Sequence, residues 1–293
     1  MALPKKKVLI TGCSDGGIGA ALAVAFHNAG YHVYATTRNP AKMVELKAKG
    51  IETLALDVLS ETSIAAAVSS VSKASEGHGL DILVNNAGAH FLMPIADINI
   101  AEAKKTYDLN VFSHIAVTQA FLPLLLKAVE VRGSSTIVNQ TSVGASSMIP
   151  FQSVYNSSKA AFAMLSDSMR LELQPFGIKV VNLRTGVVQS NLNKNLQETQ
   201  RPSLPAGSIY EPAREVVEKA LRQEEFEGQG TPAHQWAEQV VRDVTKKTPP
   251  PVIWRGESAS LARISTVLPF GMFDGFVKKL SGLDAVEKIV RKE

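Results

Sequence analysis

Tyr155 and Lys159 stand four residues apart at the start of a stretch read as a helix over Ser153–Gln174, so their side chains share one face. Of the five tyrosines, only Tyr155 has a lysine at this spacing. A phenol with a pKa of about 10 needs a shift of about three units, roughly 4 kcal/mol, to exchange protons near pH 7. An ammonium about 4 Å away contributes on the order of 4 kcal/mol at an effective dielectric near 20, so Lys159 could supply most of that shift. Thirteen residues upstream, Ser142 follows the strand-like run Ser135–Gln140. That is the carboxyl end of a strand, where open α/β sheets bind ligands. Its hydroxyl could hydrogen-bond a substrate oxygen as charge develops there. As a bare pair, tyrosine and lysine at this spacing also arise by chance on exposed helices.

The elements that must position these groups alternate along the chain. Lys7–Thr11 reads as a strand, Gly19–Ala29 as a helix, His32–Thr36 as a strand, Ala41–Lys49 as a helix and Ile51–Leu56 as a strand. A helix at Glu61–Ala74 and a strand at Asp81–Val84 follow. Then come helices at Ile100–Val111 and His114–Val129, and a strand at Ser135–Gln140. The helix carrying Tyr155 and a strand at Lys179–Leu183 close the pattern. Alternation with continuous apolar strands predicts an α/β fold, a doubly wound parallel sheet covered on both faces. The regular pattern stops near Ser190, and Pro202, Pro205, Pro212, Pro232 and Pro249–Pro251 punctuate the remainder of the chain. The clearest later helical piece is Pro232–Lys246. We read residues 1–293 as a single domain, with a core over 7–190 and a substrate loop and C-terminal apolar helical appendage over 191–293.

Composition narrows the classes. Apolar residues at 45% and charged residues at 20% match a globular chain and exclude disorder. The single cysteine, Cys13, excludes an internal disulfide framework and a cysteine-rich zinc site, and no metal is expected. Thirty-one Lys and Arg against twenty-seven Asp and Glu give a mild, dispersed charge of +4 that does not announce nucleic acid. No run of about eighteen uncharged apolar residues marks a spanning helix. The N-terminus passes through Lys5–Lys7 into Val8 with no apolar signal region. An intracellular, reducing, cytoplasmic setting is the expectation.

Between the first strand and helix lies Thr11-Gly-Cys-Ser-Asp-Gly-Gly-Ile-Gly19. Glycines there permit a tight turn and close approach of a pyrophosphate to the backbone. The following helix N-terminus offers free N–H groups and partial positive charge to phosphates. The second strand ends in Ala35-Thr-Thr-Arg38, without the carboxylate that would hold the ribose hydroxyls of NAD. Arg38 could instead meet a 2′-phosphate, so NADPH/NADP+ is the expected cofactor. Asp15 in the loop is a counter-signal, since a carboxylate near that phosphate would repel it.

Together these residues resemble the short-chain dehydrogenase/reductase family over residues 7 to 190. Thr11-Gly12…Gly17-Ile-Gly19 is similar to the family's cofactor loop, one residue longer through Ser14-Asp-Gly16. Asp57-Val58 resembles its adenine-contacting pair, and Asn85-Asn-Ala-Gly88 its sheet-stabilising motif, with Asn86 near the cofactor. Asn110 matches the asparagine that the family uses with Ser142, Tyr155 and Lys159 in a proton relay. Gly186-Val-Val-Gln-Ser190 resembles the nicotinamide-side motif, with Thr185 in place of proline, which loosens the expected loop. The resemblance implies hydride chemistry on a carbonyl, with Asn110, Ser142, Tyr155 and Lys159 catalytic. It places the cofactor against Gly12, Ser14, Gly17, Ile18, Gly19, Arg38, Asp57, Val58, Asn86, Tyr155, Lys159, Val188 and Ser190. It also implies a homo-dimer or tetramer through the Ile100–Val129 helices.

Within the family, the sequence resembles the fungal NADPH-dependent 1-acyldihydroxyacetone-phosphate reductases, through the longer loop and Val252-Ile-Trp-Arg-Gly256. That implies a lipophilic ketone substrate and a peripheral place on endoplasmic reticulum or lipid droplets. Reductases of fungal secondary-metabolite ketones share the same core and are the alternative, and a cofactor-binding scaffold without turnover is a third. Arg201, Arg214 and Arg222 could meet a substrate phosphate or be solvated charges. The apolar stretch Leu261–Leu280, broken by Pro269 and Gly271 and ending beside Lys278-Lys279, could lie on a membrane surface. It could equally close the substrate cleft, pack on the sheet, or meet a second subunit.

Overall fold

The burial pattern of the first strand, β1 (Lys7–Ile10), already shows a sheet covered on both faces. Val8 and Ile10 enter one apolar core and Leu9 the other, as the two-residue period of a strand requires. The computed structural model describes residues 4–191 and 201–292. Residues 1–3 of the N-terminal reading, and 192–200 of the substrate loop, lie outside the described residues.

In chain order, β1 is followed by α1 (Ile18–Asn28), β2 (His32–Thr37), α2 (Val44–Ala48), β3 (Glu52–Ala55), α3 (Glu61–Ala74) and β4 (Ile82–Asn85). Then come α4 (Ile100–Tyr107), α5 (Ser113–Arg132), β5 (Ser135–Ser142), α6 (Ser153–Leu173) and β6 (Ile178–Thr185). A short β7 (Val188–Gln189) pairs with β8 (Thr231–Pro232), and β9 (Val252–Arg255) returns to the main sheet. The main sheet has seven strands in the order β3-β2-β1-β4-β5-β6-β9, every pair parallel. The order reverses between β1 and β4, which opens a crevice at the carboxyl ends of those strands.

Three elements differ from the sequence reading. The stretch Ala41–Lys49 is not one helix: Pro40–Lys42 makes a single 3-10 turn, and Met43 (φ −124°) buries its side chain before α2 starts. The two helices expected over Ile100–Val129 run on as a single 33-residue rod through Arg132, joined by a π turn at Asp108–Phe112. By length and composition this rod could cross a membrane, but Val117, Phe121 and Leu125 are completely buried in the core of the fold. The alternation, legible only to Ser190, resumes in the helix Ala233–Val244, which packs Trp236 and Val240 with Phe26 of α1, and in β9.

Beneath the site, a polar row crosses the sheet. Asn85, Asn139 and Asn182 are register partners on β4, β5 and β6, and all three are buried. Asn85 Nδ2 donates to Asn139 Oδ1 and to Thr118 Oγ1 of α5, both at 2.9 Å. Asn139 Nδ2 donates to Ser166 Oγ of α6 at 2.9 Å, and Thr141 Oγ1 donates to Asn182 Oδ1 at 2.7 Å. Replacing Asn139 by Ala would take from Asn85 Nδ2 its acceptor on the next strand and from Ser166 Oγ of α6 a donor, both inside the buried row. The variant is expected to lose about 2–4 kcal/mol of unfolding free energy in a urea titration. A loss below about 1 kcal/mol would contradict this role for the row.

Candidate active site

The glycine loop after β1 is clamped to the loop after β4. Thr11 Oγ1 accepts the main-chain N–H groups of Asn86 and Ala87 at 2.9 Å each. Asn86 Nδ2 donates back to Thr11 O at 2.7 Å and Gly12 O at 3.1 Å. Thus the amide nitrogen of Asn86 holds the loop itself. A Cβ on Gly19 would lie 2.4 Å from Gly12 O, and one on Gly12, at φ +76°, would meet Ala87 Cα at 2.9 Å. Only glycine fits at either place.

These residues fit a dinucleotide. Gly17 precedes α1 without any side-chain cap, and the first turn holds no acidic residue, so the helix end is free to receive phosphate. Asp15, the counter-signal, has Oδ2 accepting the Glu45 N–H at 3.2 Å, at the start of α2. Ser14 Oγ lies 3.2 Å from Thr37 Oγ1 at the end of β2. Arg38 follows exposed, with no carboxylate on β2. Asp57 Oδ1 accepts the Leu59 N–H at 3.0 Å, and Val58 turns into the core. Ile18, Val188 and Ser190 line a large cavity beside the loop.

Ser142 and Tyr155 converge where β5 ends and α6 begins. Ser142 Oγ accepts the Gly144 N–H at 3.0 Å and hydrogen-bonds with the Tyr155 hydroxyl. Burial raises the Tyr155 pKa above that of an ordinary phenol, and the Ser142 hydrogen bond opposes the rise. Lys159, one turn on and 4% exposed, donates from Nζ to Gln140 O at 3.1 Å. Burial without a carboxylate pushes its pKa down to about 8. Its Nζ is 6.0 Å from the Tyr155 ring centroid, and the phenol stays raised, unlike the lowering expected from the spacing.

Asn110 occupies the π turn and is fully buried. Its Nδ2 donates to Ala89 O at 2.9 Å and Ser158 Oγ at 3.1 Å, while Oδ1 accepts the Ala89 N–H at 3.0 Å. The side chain therefore ties the loop after β4 to α6. A Cβ on Gly88 would fall 3.2 Å from Asn110 Oδ1 and 3.4 Å from Lys159 Nζ, so glycine lets Asn110 and Lys159 share this spot.

Two histidines escaped the sequence reading. The His90 ring meets Tyr155 edge-on, centroids 4.3 Å apart, and burial with the Lys159 charge pushes its pKa down to about 4. His114 stacks on Phe162 at 4.3 Å, its pKa pushed down to about 3 by the same two causes. The only signal for His90 was its place two residues after Gly88.

Ser142, Tyr155 and His90 open onto the same cavity, of about 630 Å3. Its far wall is the C-terminal segment, through Leu261, Leu268, Phe270, Met272, Phe273 and Phe276. Of the readings open for Leu261–Leu280, closure of the cleft is therefore what the structure displays. The same segment also exposes apolar surface, with Val267 81% and Phe270 91% accessible. Thr185 is the last residue of β6, in register with Ser142 and Arg255.

The parallel sheet, glycine loop and serine–tyrosine–lysine cluster define a nicotinamide-dependent oxidoreductase fold. The chain belongs to the short-chain dehydrogenase/reductase family, whose model, described as short chain dehydrogenase, matches residues 6–201. It is 54% identical over 292 residues, 99% of each chain, to a short-chain dehydrogenase/reductase of Pestalotiopsis microspora. It is 36% identical to the NADPH-dependent 1-acyldihydroxyacetone phosphate reductase of Schizosaccharomyces pombe, over 94% of this chain and 93% of that one. Among solved structures, a short-chain dehydrogenase from Streptomyces avermitilis superposes with a TM-score of 0.74 at 25% identity, covering 98% of both chains.

The buried ammonium has a measurable cost. Its folded pKa, about 8, lies below the ordinary 10.5, so between those values the unfolded chain binds more protons. The penalty is full below pH 8 and fades as pH rises toward 10.5. Lys159→Met should therefore raise unfolding free energy near pH 7 by up to about 3 kcal/mol, a gain that shrinks toward pH 10. Denaturant titrations at the two pH values check this, and a less stable variant at pH 7 would contradict it.

Proposed function

We propose that this chain is an NADPH-dependent reductase that delivers hydride to the ketone of a lipophilic substrate. The observation that carries the reading is the hydrogen-bonded pair of Ser142 and Tyr155, facing a largely apolar cavity beside the dinucleotide crevice. The nicotinamide cofactor supplies the hydride when bound. Ser142 orients the carbonyl by donating to its oxygen, and Tyr155 passes its proton to that oxygen as negative charge grows there. Lys159 holds the cofactor ribose and opposes the rise that burial imposes on the phenol. Asn110 takes part in the proton relay from a side chain whose amide is committed to Ala89 and Ser158, so it acts by fixing the loop after β4 against α6.

Arg38 selects the cofactor by offering its guanidinium to the 2′-phosphate. This reading by itself admits both lipid-phosphate ketones and pathway ketones such as polyketides or alkaloids as candidate substrates.

Tyr155→Phe should lower NADPH-linked ketone reduction by about 100-fold or more while NADPH binding, read by fluorescence titration, stays intact. Substantial residual turnover would sink the assignment. Arg38→Ser should weaken NADPH about 10- to 100-fold and leave NADH unchanged, since one charged hydrogen bond is worth about 1.5–3 kcal/mol. Equal losses with both cofactors would contradict the role given to Arg38.

A further inference from the structure

Every described residue that lines the large cavity is uncharged. On the side of β5 and α6 the lining includes the hydroxyls and amide of Ser142, Ser146 and Gln152 together with the apolar Val143, Met148 and Ile149, and Gln223 adds an amide from the segment after residue 221. Across from them stand the apolar side chains of the C-terminal segment. Among the described residues, neither Arg214 nor Arg222 lines the cavity. Arg214 is paired with Glu211 and Glu218, and Arg222 with Glu218 and Glu224. Lys278 lies 3.7 Å from Glu287, and neither Arg263 nor Lys279 lines the cavity. The segment that contributes Gln223, Phe226 and Gln229 also carries Glu224, Glu225 and Glu227, whose charge disfavours an anion at that wall.

We infer that this cavity selects an uncharged, largely apolar ketone bearing hydroxyl or carbonyl groups, and discriminates against the same ketone carrying a phosphate. The inference rests on the ketone-reductase reading and names its substrate class. A buried anion without a partner cation forfeits its hydration, a loss that neutral hydroxyls and amides do not recover. Neutral oxygens, by contrast, exchange water for Ser and Gln partners at little net cost. The cavity volume of about 630 Å3 suits a small organic molecule. The Schizosaccharomyces pombe relative is named for a phosphorylated ketone, so at this wall the two proteins are expected to diverge.

The test compares 1-acyldihydroxyacetone with its phosphate, at one acyl length, on the full chain with NADPH. Expected is a kcat/KM at least about tenfold higher for the uncharged ketone, equivalent to about 1.4 kcal/mol. Gln229→Arg, which adds a cation to the wall, should move that ratio toward the phosphate. Equal or better turnover of the phosphate by the unaltered chain would overturn the inference. If neither ketone consumes NADPH, the reductase reading fails, and binding decides the inference by thermal unfolding with each ketone. A Tm raised by the uncharged ketone alone supports it; a rise with the phosphate, or with neither, overturns it.

Discussion

The buried asparagine row across β4, β5 and β6 is the constraint on which the site depends. Side-chain amides in a dry sheet must find partners, because an orphaned buried donor or acceptor costs about 1–3 kcal/mol. Here the partners are next-strand asparagines and hydroxyls of the flanking helices, Thr118 on α5 and Ser166 on α6. One network thereby sets the height of α6 against β5, and so the position of Tyr155 relative to Ser142. Asn110 does the same work one layer higher by joining the loop after β4 to α6. The proposed catalytic groups are thus held by directional polar contacts, which tolerate fewer alternative arrangements than an apolar core, although Asn85 Oδ1 itself has no partner among the described residues.

That rigid frame lets the site carry unfavourable electrostatics. Lys159 is buried with a carbonyl and no carboxylate for company, while His90 and His114 are held neutral beside it. Each is a group shifted away from its ordinary pKa by desolvation, and of the three only His90 lines the cavity, with Lys159 and His114 buried behind it. Such clustering is what acid–base chemistry near neutral pH needs, and it reduces stability. The raised phenol of Tyr155 keeps its proton available for donation, which suits reduction of a carbonyl better than oxidation of an alcohol.

Much of this was legible in the sequence for physical reasons. Continuous apolar strands and periodic helices announced the sheet as far as Ser190, and Glu61–Ala74 has the bounds read from its pattern. Tyr155, Lys159 and Ser142 were visible because chemistry restricts residue type and spacing. Past Ser190 the helix carrying Trp236 was legible as Pro232–Lys246, but β9 was not, nor were the packing partners of the two elements, β6 and α1, which lie far back in the chain. Local pattern cannot report such long-range pairing. The π turn at Asp108–Phe112 was read as the end of the helix Ile100–Val111, with a break only at residues 112–113. The role of Asp15 and the spacing of Lys159 from Tyr155 depend on rotamers, which no sequence pattern displays. The cavity wall was open for a similar reason, since an apolar segment with exposed and buried faces reads alike whatever it covers.

The central claim is direct hydride transfer to a carbonyl with the proton supplied at Tyr155. It is tested most directly by running the reaction with NADPH deuterated at the transferable C4 position and examining the product alcohol by mass spectrometry and NMR. The account predicts one deuterium on the carbinol carbon, in step with cofactor oxidation, and none with Tyr155→Phe. A product formed without deuterium, or without consumption of NADPH, would mean that the pocket performs an isomerisation or cyclisation, and would contradict the account.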